Sequence, residues 1–159
     1  MTITLRPLAD GDLDTLFVWE SDPRAVELAA FTRADPSDRA AFDAHYERVR
    51  ANPDNTLLSI DEDGEFVGTI ASFEMFGDRD VAYWIDPARW GTGIASRALV
   101  AFLELERTRP LYGRVAEHNV GSATVLLRAG FVETGTDTGF APGLGREVVE
   151  RIFRLDTLA

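Results

Sequence analysis

The sequence predicts a mixed α/β (α+β) fold in a single domain over residues 1–159, with about seven strands in a central sheet, about four flanking helices, and strands four and five as a parallel pair. Three observations carry this. With 159 residues, 45 % of them apolar, the chain can bury one core but not two. Strand-like alternation and helix-like spacing follow one another in the order βααβββαβαββ. A helical stretch also falls between the fourth and fifth strands, which is the crossover that joins parallel neighbours.

Residues 2–8, TITLRPL, alternate as a strand before a turn at 9–12, where Asp12 is placed to cap a helix running to about Trp19. SDP at 21–23 breaks that helix. DPSD at 35–38 offers a cap and an early proline for the second helix, AAFDAHYERVR, which NPDN at 52–55 ends. TLLSIDEDGEFVGTIASFEMF reads as two strands about an Asp63-Gly64 turn, a strong hairpin signal, and DVAYWID at 80–86 is the fourth strand. From Gly93 to about Arg109, apolar residues Ile94, Ala98, Leu99, Phe102, Leu103 and Leu105 recur at helical spacings, and RP at 109–110 closes the helix. LYGRVAE is the fifth strand, and GSATVLLRA is a short helix stopped by Gly130. FVETGTD and VVERIFRLD are the last two strands, separated by a loop TGFAPGLGRE at 138–147.

Composition removes several functions. No run approaches the eighteen or so apolar residues of a membrane helix, and MTITLRPLAD lacks the apolar core of a secretion signal, so a cytoplasmic protein is expected. Without cysteine there is no disulfide, thiolate metal site or cysteine nucleophile. His45 and His118 are the only two histidines, so no metal is expected; His118 reads as a loop residue and His45 as a surface one. A net charge of −11 argues against nucleic acid or anionic membrane as partner and favours a cationic substrate.

The stretch YWIDPARWGTGIASRAL places a proline stop after a strand, then glycines at 91 and 93, then a helix start. Glycine leaves the backbone N–H groups accessible, and at a helix start they are unpaired and lie at the positive end of the helix dipole. That is an anion cradle. Gly91 and Gly93 do not complete a dinucleotide-binding GxGxxG, whose last position falls on Ser96, and no GK[ST] exists in the chain.

What remains resembles the pyrophosphate loop of the GNAT superfamily of acyl-CoA-dependent N-acetyltransferases, Q/R-x-x-G-x-G/A, laid on residues 90–95 with Trp90 in place of Gln or Arg. The form GYW-x-x-P-x-x-W-G-x-G-x-A, and N-x-x-S followed eight residues later by GF in HNVGSATVLLRAGF, resemble the branch of ribosomal-protein N-terminal acetyltransferases. Those motifs supply Asn119, Ser122, Gly130 and Phe131. Arg97 stands where that branch often has glutamate, which weakens any transfer of substrate preference.

The resemblance implies that strands four and five splay and that acetyl-CoA lies in the gap as cosubstrate. Its pantetheine arm would bond near Ile85, helped by Trp84 and Asp86. Its pyrophosphate would sit on Gly91, Thr92, Gly93, Ile94 and Ala95, with a hydroxyl from Ser96. Asn119 and Arg128 would serve the pantetheine and the phosphates. An acceptor amine then attacks the thioester directly, which asks for a proton acceptor, Asp80 with Glu74 in reserve, and a proton donor to sulfur. The family's tyrosine falls on Leu126 here, so Ser122 is the candidate donor, although a serine there also reads as a cap. Phe31, Glu74, Tyr83, Phe140 and Leu144 are candidates to line the acceptor pocket. The acceptor is a protein N-terminus or a small amine. The competing reading is a non-catalytic acyl-CoA-binding sensor or regulatory module. Some relatives imply a homodimer, paired through VETGTD and VVERIFRLD across a two-fold axis.

Overall fold

The computed structural model describes residues 1–157, so the last two residues of the domain span lie outside it. Chain order gives β1 (Ile3–Pro7), α1 (Leu13–Ser21), α2 (Pro23–Ala29), α3 (Arg39–Ala51), β2 (Thr56–Glu62), β3 (Glu65–Met75), β4 (Asp78–Ile85), α4 (Ile94–Leu103), β5 (Leu111–Ala116), α5 (Val120–Arg128), β6 (Val132–Ala141) and β7 (Arg146–Leu155). The seven strands form one sheet in the order β1-β2-β3-β4-β5-β7-β6, and only β4 and β5 run parallel. The expected parallel pair is therefore present.

The sheet has a core on each face. α4 and α5 bury Ile94, Ala98, Leu99, Phe102, Ala123 and Leu126 against Val81, Ile85, Leu111 and Phe153. On the other face α1 and α3 bury Leu16, Trp19, Phe42 and Tyr46, with Phe66 and Trp84 packed against them. Each fully buried Leu or Phe contributes roughly 1.5–3 kcal/mol, so the two layers rather than helix propensity hold the short helices. A register shift between Ile60 and Asp61 turns Phe66 to the α1–α3 face while Ile70 faces α4, where strict alternation would put both on one face. β4 pairs with β3 without such a shift, so Val81, Tyr83 and Ile85 face α4 and α5, and Asp80, Ala82 and Trp84 face the other layer.

Several local expectations change. Pro23 ends α1 but also opens α2, an added fifth helix, because proline is tolerated in a first turn and Asp22 accepts from the Arg24 N–H. Asp12 does not cap α1 with its side chain; the carboxylate accepts instead from Arg6, Ser59 and the Ala9 N–H. α4 stops at Leu103, short of Arg109: the chain tightens as Leu105 N–H bonds the Phe102 carbonyl, and Arg79 holds the Glu106 carboxylate at 2.8 Å. The loop expected over 138–147 shrinks to 142–145, since β6 and β7 stay paired out to Ala141↔Arg146. β7 is paired on both sides, by β5 and β6, so it has no free edge with which to meet a second copy; β6 has one.

The segment between α2 and α3 is fastened from inside. Arg33 donates to Glu20 Oε1 at 2.9 Å and to the Pro36 carbonyl at 2.7 Å, while the Tyr46 hydroxyl donates to Glu20. Phe31 and Thr32 are thereby held against the sheet.

Candidate active site

β4 and β5 pair only at Arg79↔Leu111, Asp80↔Tyr112 and Val81↔Gly113. Beyond that point β4 follows β3 to Ile85 and β5 follows β7 to Ala116, so the two strands diverge and a gap opens. At its apex α5 presses on β5: a Cβ on Gly113 would meet Leu126 at 2.8 Å. A cleft of about 780 Å³ runs through the gap, with walls from β4 (Val81–Ile85) and β5 (Gly113–Ala116).

One end of the cleft reaches the turn between β4 and α4. Gly91 and Gly93 have φ of +79° and +85°, a region that disfavours any side chain, and open space surrounds both apart from Arg97 Nε at 3.9 Å from a would-be Cβ on Gly93. Gly93 provides no side-chain cap, and the first backbone bond of the helix is Arg97 N–H to the Gly93 carbonyl. Among the described residues, no N–H from Gly91 to Ser96 has a protein partner. This is a set of converging donors with room above them, which fits a pyrophosphate. Thr92 turns away from the cleft and donates to the Arg89 carbonyl at 2.6 Å. Trp90 donates from its indole to the Ile85 carbonyl at 3.1 Å, so that carbonyl is already engaged. Arg97 is fixed on Glu62 at 2.7 Å.

The opposite wall is the start of α5. Asn119 caps it, accepting from the Ser122 N–H at 3.2 Å, and its amide nitrogen donates to the Leu28 carbonyl at 3.4 Å, tying α5 to α2 across the cleft. The Ser122 hydroxyl makes no hydrogen bond among the described residues and lines the cleft. Tyr83 points to the same place, donating to the Ser122 carbonyl at 3.4 Å, and burial pushes its phenol up to about 12. Arg128 lines the outer end with no ion pair among the described residues. Leu126 is buried in the core, so no hydroxyl stands at its position.

On the other face the cleft is bounded by Phe31, Thr32, Ala82, Trp84, Arg114 and Glu150. Arg114 lies 3.6 Å from Asp80, 3.3 Å from Glu150 and 3.9 Å from Asp137. Asp80 is 3 % exposed and stands behind Arg114 rather than in the cleft wall. Burial pushes its carboxyl up to about 6, with Arg114 opposing and Asp78 and Glu150 reinforcing. Burial also raises Glu150.

Of the residues singled out in the sequence, the cleft thus gathers Phe31, Tyr83, Trp84, Ile85, Trp90, Gly91, Gly93, Ile94, Ala95, Ser96, Asn119, Ser122 and Arg128. Asp80, Thr92 and Glu74 lie outside its lining; Glu74 sits exposed near the end of β3, paired with Arg79. Phe140 is exposed on β6, Leu144 packs with Ala30 and Val148, and His45 is an exposed residue of α3. His118 does line the cleft, with its Nε2 against the Glu27 carbonyl. Sequence reasoning missed Arg114 and Glu150. Their signal was a charge on an inward strand face: Glu150 shares one side of β7 with Val148 and Ile152, and Arg114 shares one side of β5 with Ala116.

Among the described residues no cluster suits a metal ion, and no helix is long and apolar enough to cross a membrane. The family model "Acetyltransferase (GNAT) domain" matches residues 2–132. No curated protein matches. Solved structures with a similar fold include Mycobacterium smegmatis RimJ in complex with CoA-disulfide, at 22 % identity and TM-score 0.82, covering 98 % of this chain and 82 % of that one. Another is spermidine N-acetyltransferase from Vibrio cholerae with CoA and spermine, at 19 % identity and TM-score 0.79, covering 98 % and 96 %. AAC(6')-Ib with ribostamycin and coenzyme A is similar at 20 % identity and TM-score 0.75, covering 96 % and 93 %. With the model spanning most of the sequence and the splayed β4–β5 pair in place, the chain belongs to the GNAT acetyltransferase family.

Proposed function

We propose that this protein transfers an acetyl group from acetyl-CoA to an acceptor primary amine by direct attack. The observation that carries the reading is the opening of the β4–β5 ladder beyond Val81↔Gly113, which leads straight to the uncapped N–H groups of Gly91–Ser96. Acetyl-CoA would supply the acetyl group as an activated thioester. The residues around it divide the work. Gly91–Ser96 hold the pyrophosphate through backbone donors and the positive end of α4. Trp84, Ile85 and Asn119 flank the pantetheine arm, and Arg128 stands free for a phosphate. Because the gap joins both faces of the sheet, the acceptor enters from the α2 side, past Phe31 and Trp84, while the cofactor enters from the α4 side. A carboxylate beside the gap takes the amine's proton, and the unbonded hydroxyl of Ser122 donates toward the departing sulfur.

Two groups of acceptor compete, a protein N-terminus and a small amine. The motif resemblance to the branch of ribosomal-protein N-terminal acetyltransferases speaks for the first, and the likenesses to spermidine N-acetyltransferase and to AAC(6')-Ib with ribostamycin speak for the second. A non-catalytic acyl-CoA-binding module is the second reading, favoured by Leu126, which removes the hydroxyl from that turn of α5. Calorimetry with acetyl-CoA on wild type and Gly93→Glu tests the site. Binding in the micromolar range that the variant loses supports it, and no binding by wild type refutes it. Thiol release with a panel of peptide and small amines then separates a transferase from a binding module.

A further inference from the structure

We propose that Glu150 on β7 is the carboxylate that receives the acceptor's amine, with Arg114 as the positioning residue that holds it and Asp80 as the anchor of Arg114. This rests on the transferase reading above. Parity along β4 puts Asp80 on the acceptor face, but its side chain is closed off by Arg114, which lines the cleft in its place. Glu150 lies on the far side of the same guanidinium and does line the cleft. Arg114 therefore spans from a strand on one side of the gap to a strand beyond the other.

The charges facing Glu150 come from every neighbouring strand. β5 gives Arg114 at 3.3 Å, β6 gives Asp137 as its register partner, and β4 gives Asp80 behind Arg114 with Asp78 beyond. His118, a titratable group in the cleft wall after β5, has its Nε2 on the Glu27 carbonyl. One guanidinium against Asp80, Asp137 and Glu150 leaves the acceptor end with surplus negative charge, which suits an ammonium. The Phe76 ring packs on Arg114 at 5.2 Å and limits where the guanidinium can go.

Asp80 Oδ1 and Arg114 Nε are buried without hydrogen-bond partners. Arg114 Nε approaches the other carboxylate oxygen, Asp80 Oδ2, at 3.6 Å, a charge contact rather than a hydrogen bond, so Asp80 biases Arg114 without saturating it. Arg114 can then hold Glu150 without neutralising it. In the step that follows, Glu150 takes one proton from the ammonium. The freed nitrogen pair forms the C–N bond as the C–S bond breaks; sulfur leaves with the electron pair and is protonated from Ser122 Oγ, and the second proton of the nitrogen, acidic once the C–N bond has formed, passes through water to the Ser122 oxygen.

The test compares wild type with Glu150→Gln, Glu150→Asp and Asp80→Asn. Glu150→Gln should lower kcat/KM for the amine by about 10²–10³-fold and remove the acid limb of the pH profile, with acetyl-CoA affinity within about twofold of wild type. Glu150→Asp should recover part of the loss. Asp80→Asn should keep the acid limb but move it to lower pH, because Arg114 then gives its full charge to Glu150. Carbon-13 titration of the side-chain carboxyls in the protein without ligand reads the same coupling: Glu150 should titrate above the ordinary glutamate range and move down in Asp80→Asn. The proposal is overturned if Glu150→Gln keeps its acid limb and most of its activity, if Asp80→Asn takes the large loss instead, or if the Glu150 titration ignores Asp80. A wild type that acetylates no amine defeats the transferase reading by itself, and the titration still decides the coupling.

Discussion

The indole N–H of Trp90 donates to the Ile85 carbonyl at 3.1 Å, closing the chain back on the last residue of β4 just before the phosphate-binding turn. Arg24 of α2 lies over the same ring at 5.8 Å. Trp90 thus fixes where the turn starts, a structural task at a position where the family pattern has a polar side chain. Trp90→Phe keeps a ring for Arg24 but frees the carbonyl. Urea denaturation should show a loss of about 1 kcal/mol, and acetyl-CoA affinity should fall severalfold. Trp90→Gln, which restores a donor, should recover part of the affinity. A Phe variant identical to wild type would mean that the bond positions nothing.

Gly93 offers a way to separate strain from obstruction. Its φ of +85° is costly for any L side chain, while the space around it is open. Gly93→Ala should therefore destabilise the chain by about 1–2 kcal/mol through the backbone. Its small methyl should weaken acetyl-CoA binding far less than Gly93→Glu. Equal loss in both variants would place the effect in the backbone and not in the occupied cradle. Thermal unfolding and calorimetry on the two variants give both numbers.

Most of the fold is legible because local chemistry and burial agree. The Asp63-Gly64 turn adopts positive φ at both residues, as its hairpin signal requires, and Gly130 ends α5 with φ +98° while Phe131 N–H bonds the Leu126 carbonyl. The parallel β4–β5 pair follows from one crossover helix. What escaped the sequence depends on distant partners. The stop of α4 depends on Arg79 capturing Glu106, and the length of β6 depends on β7 running alongside it. At the site, the phosphate turn is local and was visible as a motif. Arg114 and Glu150 come together only when β5 pairs with β7, and the burial that hides Asp80 comes from that same assembly. Alternation along each strand marks the two charges as inward-facing, but nothing in the spacing joins one to the other.

Asp80 gives a pH-dependent stability of defined sign. Its folded pKa of about 6 is above the ordinary aspartate value of 3.8, because burial penalises the charged form. The folded state then binds the proton more tightly than the unfolded chain, so the group's contribution is present below about pH 4 and lost as pH rises through 6. The shift corresponds to on the order of 3 kcal/mol between those limits. Asp80→Asn removes this dependence. The stability of wild type minus variant should therefore decline from pH 4 to pH 7, and a flat difference would place the Asp80 pKa at its ordinary value.

Arg33 joins the second core to the acceptor side of the cleft. It is the cation beside Glu20, a carboxylate whose pKa is raised by burial even though Tyr46 and Arg33 both oppose that shift. Arg33→Ala leaves that carboxylate buried with only the Tyr46 hydroxyl, and breaking such a pair costs about 3–5 kcal/mol near neutral pH. The penalty belongs to the charged form. It should therefore shrink as pH falls and Glu20 takes up a proton, so the variant should approach wild-type stability in mild acid, as read by urea denaturation at a series of pH values. The same substitution removes one of the two donors to the Pro36 carbonyl, leaving the Ser21 hydroxyl at 2.9 Å, and loosens the segment that carries Phe31 and Thr32. KM for the amine should rise severalfold while acetyl-CoA affinity, set on the α4 side, stays near wild type. A loss confined to acetyl-CoA would assign Phe31 and Thr32 to the wrong end of the cleft.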